Sequence, residues 1–269
     1  MTRKELITAI QQKKSYLCVG LDPDLTKIPA LLRSQPDPLF AFNRQIIDAT
    51  RESCVAYKIN TAFYESLGIR GWETLMRTAE YIPDSHLKIA DAKRGDIGNS
   101  SAHYARAFFE TMQFDAVTVA PYMGEDSVRP FLEHAGKWTI LLGLTSNAGA
   151  IDFELQPAGD GLLFEQVLKT SSKWGSPENL MFVIGATRPE WIDRVRQIVP
   201  SHFLLVPGIG AQGGNLSETS HRAFNGDIGL LINSSRAILY ASGGSDFAAA
   251  AGKAAAALQR EMATYLASR

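Results

Sequence analysis

His86-Leu87-Lys88-Ile89-Ala90 runs straight into Asp91-Ala92-Lys93-Arg94-Gly95-Asp96. A short β-rich run that turns charged at its C-terminal end reads as a buried strand opening onto a polar mouth. Seven further runs of this kind recur along the chain: Leu17–Leu21, Val55–Ile59, Ala116–Ala120, Trp138–Leu144, Leu180–Ile184, Phe203–Val206 and Gly229–Ile232. Several are continuously apolar rather than alternating, which suits a parallel sheet covered on both faces. Helix-like segments fall between them: Pro38–Arg51, Ala62–Ala79, Ser100–Thr111, Asp126–His134, Leu162–Lys173 and Pro189–Gln197. The Ala-rich run Asp246–Ser268, with Leu258, Met262 and Leu266 at helical spacing, reads as the last covering helix. Eight such alternations predict an α/β fold, a single (β/α)8 TIM barrel, with an open doubly wound sheet as the alternative.

The length of 269 residues is close to the roughly 250 typical of such a barrel and predicts one domain over 1–269, beginning with an N-terminal helix. A Pro/Gly-rich loop at about 147–161 follows the fifth strand; it reads equally as a lid over the mouth or as a surface excursion. The formal net charge of -1, with both signs interspersed, gives no reason to expect nucleic acid or a membrane as partner. The charged start Met1-Thr-Arg-Lys-Glu lacks the apolar core of a secretory signal, and no run approaches ~18 apolar residues, so a cytoplasmic location is expected. Cys18 and Cys54 form neither a disulfide framework nor a zinc cluster and read as buried thiols.

Barrel enzymes carry their chemistry at the C-terminal ends of the strands. Here the first strand ends in Leu21-Asp22, the second in Lys58-Ile-Asn60 and the third in Asp91-Ala-Lys93. If the strand conformation persists through Lys93, Asp91 and Lys93 project from one face and meet. A lysine beside a carboxylate in a partly dry cavity keeps its proton and can act as an acid. For one such pair a structural ion pair is the plainer reading; four charges converging on one mouth favour a catalytic one. Asp96 lies past the Arg94-Gly95 turn, where it is poorly placed to share the face of Asp91 and reads as a favourable charge at a helix N-terminus.

The loops after the seventh and eighth strands, Pro207-Gly-Ile-Gly-Ala-Gln212-Gly-Gly and Asn233-Ser-Ser-Arg236, supply the glycine backbone and the guanidinium of an anion site where barrels commonly hold phosphate. Gly208–Gly213 also fits a dinucleotide Gly-x-Gly-x-x-Gly pattern, but only one strand follows it, so no nicotinamide cofactor is expected. The five histidines show no ligand pairing, and two lysines at the mouth would repel a cation, so no metal is expected.

Asp91-x-Lys93-x-x-Asp96-Ile97, with Asp22, Lys58, Pro207-Gly-Ile-Gly-Ala-Gln212 and Arg236 at the ends of other strands, resembles the orotidine 5′-phosphate decarboxylase family over nearly the whole chain. Lys58-Ile-Asn60 followed by Ala62-Phe-Tyr-Glu65, with the long loop after the fifth strand, resembles its longer bacterial branch. The resemblance implies a metal- and cofactor-free decarboxylase of pyrimidine synthesis. In it Lys93 protonates a C6 carbanion, Asp91 stands beside the reacting carbon, and Asp22 and Lys58 hold ribose hydroxyls and complete the charged network. It further implies that Ser146 contacts the pyrimidine, Ile97 lies against the base, Ser100 sits near the ribose, and Gln212 and Arg236 bind the 5′-phosphate. Asp96 would cross from the second chain of a homodimer. Magnesium-dependent relatives, such as 3-keto-gulonate-phosphate decarboxylase or hexulose-phosphate synthase, generally carry an acidic ligand where Lys58 stands. A non-catalytic nucleotide-binding module is the rival from another class.

Overall fold

The computed structural model describes residues 1–185, 190–209 and 215–268. Eight parallel strands close into a barrel in sequential order: β1 (Leu17–Gly20), β2 (Ala56–Asn60), β3 (Leu87–Arg94), β4 (Ala116–Val119), β5 (Trp138–Leu144), β6 (Leu180–Ile184), β7 (Phe203–Pro207) and β8 (Leu230–Ser234), with β8 pairing back onto β1. Closure excludes the open doubly wound sheet, and with it the setting that the dinucleotide reading of Gly208–Gly213 requires. The continuous apolar runs are explained by burial on two sides. β1, β4 and β6 are buried at every position, between side chains filling the barrel and helices outside it.

The register levels the charged strand ends. Gly20 on β1 lies opposite Lys58 on β2, and Asn60 on β2 opposite Asp91 on β3. Between β3 and β4 the register slips: Ala90 faces Val117 and Arg94 faces Val119, so β3 advances four residues while β4 advances two. The excess is a bulge over Asp91-Ala92-Lys93, the kind of distortion that re-aims side chains at a barrel rim.

Two helices depart from the expected periods. Ala62–Ala79 is not one helix; Ala62–Glu65 ends before Gly68, whose φ of +64° breaks the ladder, and a second helix runs Ile69–Tyr81. Gly71 lets the second close upon the first, since a Cβ there would sit 1.7 Å from the Tyr64 carbonyl oxygen. The segment expected as a helix over Ser100–Thr111 begins earlier, at Gly98, and ends in a π-turn over Ala107–Thr111. The C-terminal helix, Phe247–Ala267, uses small residues to approach the helix Pro38–Thr50: a Cβ on Gly252 would lie 2.8 Å from the Ala49 carbonyl oxygen.

The helix Arg3–Lys13 closes the bottom of the barrel. Thr2 and Glu5 form its capping box, and the buried Arg3 guanidinium donates to the carbonyls of Pro177 and Ser201, each at 2.7 Å. Nearby, His202 packs against Phe182 and is only 7 % exposed, and neither ring nitrogen has a hydrogen-bond partner among the described residues. Burial, then the charges of Arg3 and Arg196, push its imidazole down to about 4. A folded value below the unfolded one favours the neutral ring. The associated stability is therefore complete above about pH 6.5 and is lost as pH falls from there towards about 4. His202→Leu, which keeps the packing and removes the titration, is expected to flatten the fall in thermal midpoint between pH 6.5 and 4. An unchanged slope in thermal unfolding would discard His202 as its source.

Candidate active site

At the C-terminal end of the barrel the strand ends surround a cleft of about 610 Å³, within the range of small-molecule sites. A wider hollow of about 1050 Å³ lies at the opposite end beside the N-terminal helix. Its Asp84–Lys88 and N-terminal ammonium–Asp115 pairs already match one another, and it gathers no comparable cluster.

The cleft floor is an alternating chain of charges. Asp91 is central: Lys58 Nζ lies 2.8 Å from its Oδ2 and Lys93 Nζ 2.6 Å from its Oδ1. Lys58 continues to Asp22, 3.8 Å away. Lys58 and Asp91 are buried, whereas the Lys93 side chain is 50 % exposed to the cleft. The Asp91–Lys93 contact arises through the bulge rather than through a regular strand: Lys93 has φ +47°, in the left-handed region, and its amide donates to Thr118 Oγ1 at 2.9 Å. Thr118 Oγ1 in turn donates to Asp91 Oδ1 at 3.0 Å.

Burial alone would raise the Asp91 carboxyl, but the Lys58 and Lys93 ammonium groups outweigh it and hold it well below the usual carboxylate range. Burial would likewise lower Lys58, yet Asp22 and Asp91 hold it above the ordinary lysine value. The signs fix the working window. The contribution of Asp91 is present above its unfolded value and lost only as pH falls through the depressed folded one. That of Lys58 is present below its unfolded value and lost only as pH rises through the raised folded one. From mild acid to mild base both groups stay charged.

Asp22 is fixed from the other side. Ser235 Oγ donates to its Oδ2 at 2.7 Å and the Asn60 amide to its Oδ1 at 3.3 Å. That approach depends on Gly20, where a Cβ would stand 1.8 Å from Ser235 Oγ. Ser146, after β5, also lines the cleft; a Cβ on Gly185 would come within 2.8 Å of the Ser146 amide nitrogen, so the glycine just after β6 sets its position. Arg236 opens a four-residue helix after β8 and is exposed at the cleft, beside Gly208 with φ +98° after β7. Gln212 lies outside the described residues.

Asp96, Ile97 and Ser100 do not line the cleft of their own chain. Asp96 Oδ1 accepts from the Ile97 amide at 2.7 Å, and Ile97 is 60 % exposed. The loop at 147–161 contains a 3-10 turn, Ala148–Asp152, and a small hairpin pairing Pro157–Ala158 with Gly161–Leu162. Glu154 ties it back to Thr145 through both carboxylate oxygens at 2.7 Å, leaving Phe153 68 % exposed.

The family model described as "Orotidine 5'-phosphate decarboxylase / HUMPS family" matches residues 15–252. The chain belongs to this family. It is 56% identical over 270 residues to the orotidine 5′-phosphate decarboxylase of Christiangramia forsetii, covering 99% of both chains. To the protein of the same name from Flavobacterium johnsoniae it is 56% identical over 272 residues, covering 100% of each. Among solved structures, OMP decarboxylase from Leishmania donovani superposes with a TM-score of 0.81 at 34% identity, covering 97% of this chain and 99% of that one.

Against the family pattern, two contacts at the mouth stand out as invisible in the sequence. Thr118 sits in Ala116-Val-Thr-Val119, where a threonine passes for an ordinary β-former. Ser235 hides between Ser234 and Arg236, and its advance signal is Gly20, the residue after Val19, which pairs with Ser234 across the β1–β8 seam.

Proposed function

We propose that this chain decarboxylates orotidine 5′-phosphate to uridine 5′-phosphate in pyrimidine biosynthesis, without a metal or organic cofactor. The observation that carries the reading is the Asp22–Lys58–Asp91–Lys93 chain of charges on the cleft floor. The C6–carboxylate bond breaks heterolytically, carbon dioxide leaves, and the electron pair stays on C6. Lys93 then gives its proton to C6 and regains one from solvent.

The intermediate has no electron sink, so charge must be stabilised where it develops. An ammonium already held in place does this in the transition state more than in the ground state. Asp91, kept ionised, holds that ammonium and sets a fixed negative charge against the departing carboxylate. Asp22 and Lys58 take ribose hydroxyls and Ser146 the pyrimidine edge. Arg236, with Gln212, takes the 5′-phosphate, whose distant contacts supply binding energy for alignment at C6. Lys58 also disfavours the metal-dependent chemistry of other family members, because its ammonium faces Asp22 and Asp91 where a divalent cation would otherwise find two carboxylates.

The working unit in this reading is a homodimer. Asp96, with Ile97 and Ser100, leaves its own cleft and enters the partner's, and the exposed apolar Ile97, Tyr122 and Met123 near the rim suit a covered face. No helix among the described residues is long and apolar enough to cross a membrane, and a cytoplasmic enzyme is the location proposed.

Purified protein held in excess EDTA is expected to convert orotidine 5′-phosphate to uridine 5′-phosphate, followed by the fall in ultraviolet absorbance. Substrate left unconsumed by the chelated protein overturns the assignment. Activity that returns only with added magnesium overturns the metal-free mechanism.

A further inference from the structure

The proton donor proposed above is a lysine in a backbone conformation that side chains rarely adopt, on a bulge that neighbouring strands do not share. Something must hold it there. β3 resumes pairing with β4 at Arg94, whose carbonyl accepts from the Ala120 amide at 2.8 Å. Inside the bulge, the Lys93 amide has no ladder partner and goes to a side chain, Thr118 Oγ1. That hydroxyl spends its one proton on Asp91 Oδ1.

We propose that Thr118 is a positioning residue for the decarboxylation: one hydroxyl, accepting from the Lys93 amide and donating to the Asp91 carboxylate, locks the distance between the ammonium and its counter-ion. The inference rests on the function proposed above and deepens it. A carboxylate turns easily about its last torsion, so Lys58 on Oδ2 alone would not fix the direction of Oδ1. Two donors on Oδ1, Lys93 Nζ and Thr118 Oγ1, do fix it. The same oxygen of Thr118 pins the backbone from which the Lys93 side chain springs. Loss of the hydroxyl frees both ends of the pair at once. Thr118 is 1 % exposed, so water has little room to replace it.

Thr139 on the next strand provides a matched control. It is equally buried, and its hydroxyl has no hydrogen-bond partner among the described residues. Thr118→Val and Thr139→Val therefore delete the same atom from adjacent strands, one with two partners and one with none.

The experiment compares wild type, Thr118→Val, Thr118→Ser and Thr139→Val for kcat on orotidine 5′-phosphate and for Kd of uridine 5′-phosphate. Thr118→Val is expected to lose about 10- to 100-fold in kcat, the scale of a small misplacement of reacting groups, with Kd within about threefold of wild type. Thr118→Ser, which keeps the hydroxyl, and Thr139→Val are expected to stay within about threefold on both. Wild-type kcat in Thr118→Val overturns the inference. So does a serine variant as impaired as the valine one, which would make the methyl group the effective part. A parallel loss of kcat and of nucleotide binding would mark plain structural damage and also overturns it. If the valine chain does not fold, Thr118→Ala against Thr118→Ser gives the same comparison without added bulk. An inactive wild type would instead count against the proposed function, so the two failures are separable.

Discussion

Lys93→Ala is expected to abolish turnover while leaving the nucleotide bound. In the proposed mechanism the lysine supplies two effects together: proton delivery, typically worth ~10²–10⁴, and a fixed charge facing the developing carbanion, worth about 10²–10³ at comparable sites. A fall of at least about 10⁴-fold in kcat follows if the two combine even partly. Binding should survive, because the groups proposed to hold ribose and phosphate, Asp22, Lys58 and Arg236, stand on other strand ends. The fold should survive as well. Asp91 keeps its 2.8 Å contact with Lys58 and its hydrogen bond from Thr118, so no carboxylate is left buried without a partner. The absorbance assay and a titration with uridine 5′-phosphate check both halves. Near-normal turnover would remove Lys93 as the acid, and lost nucleotide affinity would show that its role is not confined to the chemical step.

Mixing two inactive chains is expected to restore activity. If Asp96 serves the neighbouring cleft, a heterodimer of Lys93→Ala and Asp96→Ala chains has one site with both defects and one with neither. Random exchange makes about half the dimers mixed, so about a quarter of wild-type activity should return from an equimolar mixture. Each chain alone should stay inactive. The measurement needs subunit exchange, shown by mass-labelled chains, before the assay. Exchanged dimers without recovery would place Asp96 in the service of its own chain, and an Asp96→Ala chain active by itself would put Asp96 outside the chemistry.

The fold was legible because each strand is a short apolar run, and the first, second, third, seventh and eighth run on into charged or glycine-rich residues suited to a mouth. Asp22, Lys58, Asp91 and Lys93 could be gathered before any coordinates, since strand ends in a closed barrel must converge. Other features follow from tertiary contacts that periodicity does not encode. The bulge in β3 comes from a mismatch with β4, which neither strand announces alone. Asp91 and Lys93 do meet, as a regular strand predicts, but through a bulge with left-handed backbone at Lys93. Thr118 and Ser235 are small hydroxyl residues with many bland uses, and only their partners across the barrel give them meaning. The break at Gly68 was hidden for a similar reason: an apolar period continues across it, and the turn is set by how Gly71 meets Tyr64.

The left-handed backbone at Lys93 places folding and chemistry in opposition at one residue. A side chain in that region costs about 1–2 kcal/mol that glycine would not incur. Lys93→Gly would relax the chain and remove the proposed acid. A search for sturdier variants that scores heat resistance alone would thus reward relief of this backbone at the expense of the proposed proton donor, so any such selection on this barrel has to demand turnover in the same round.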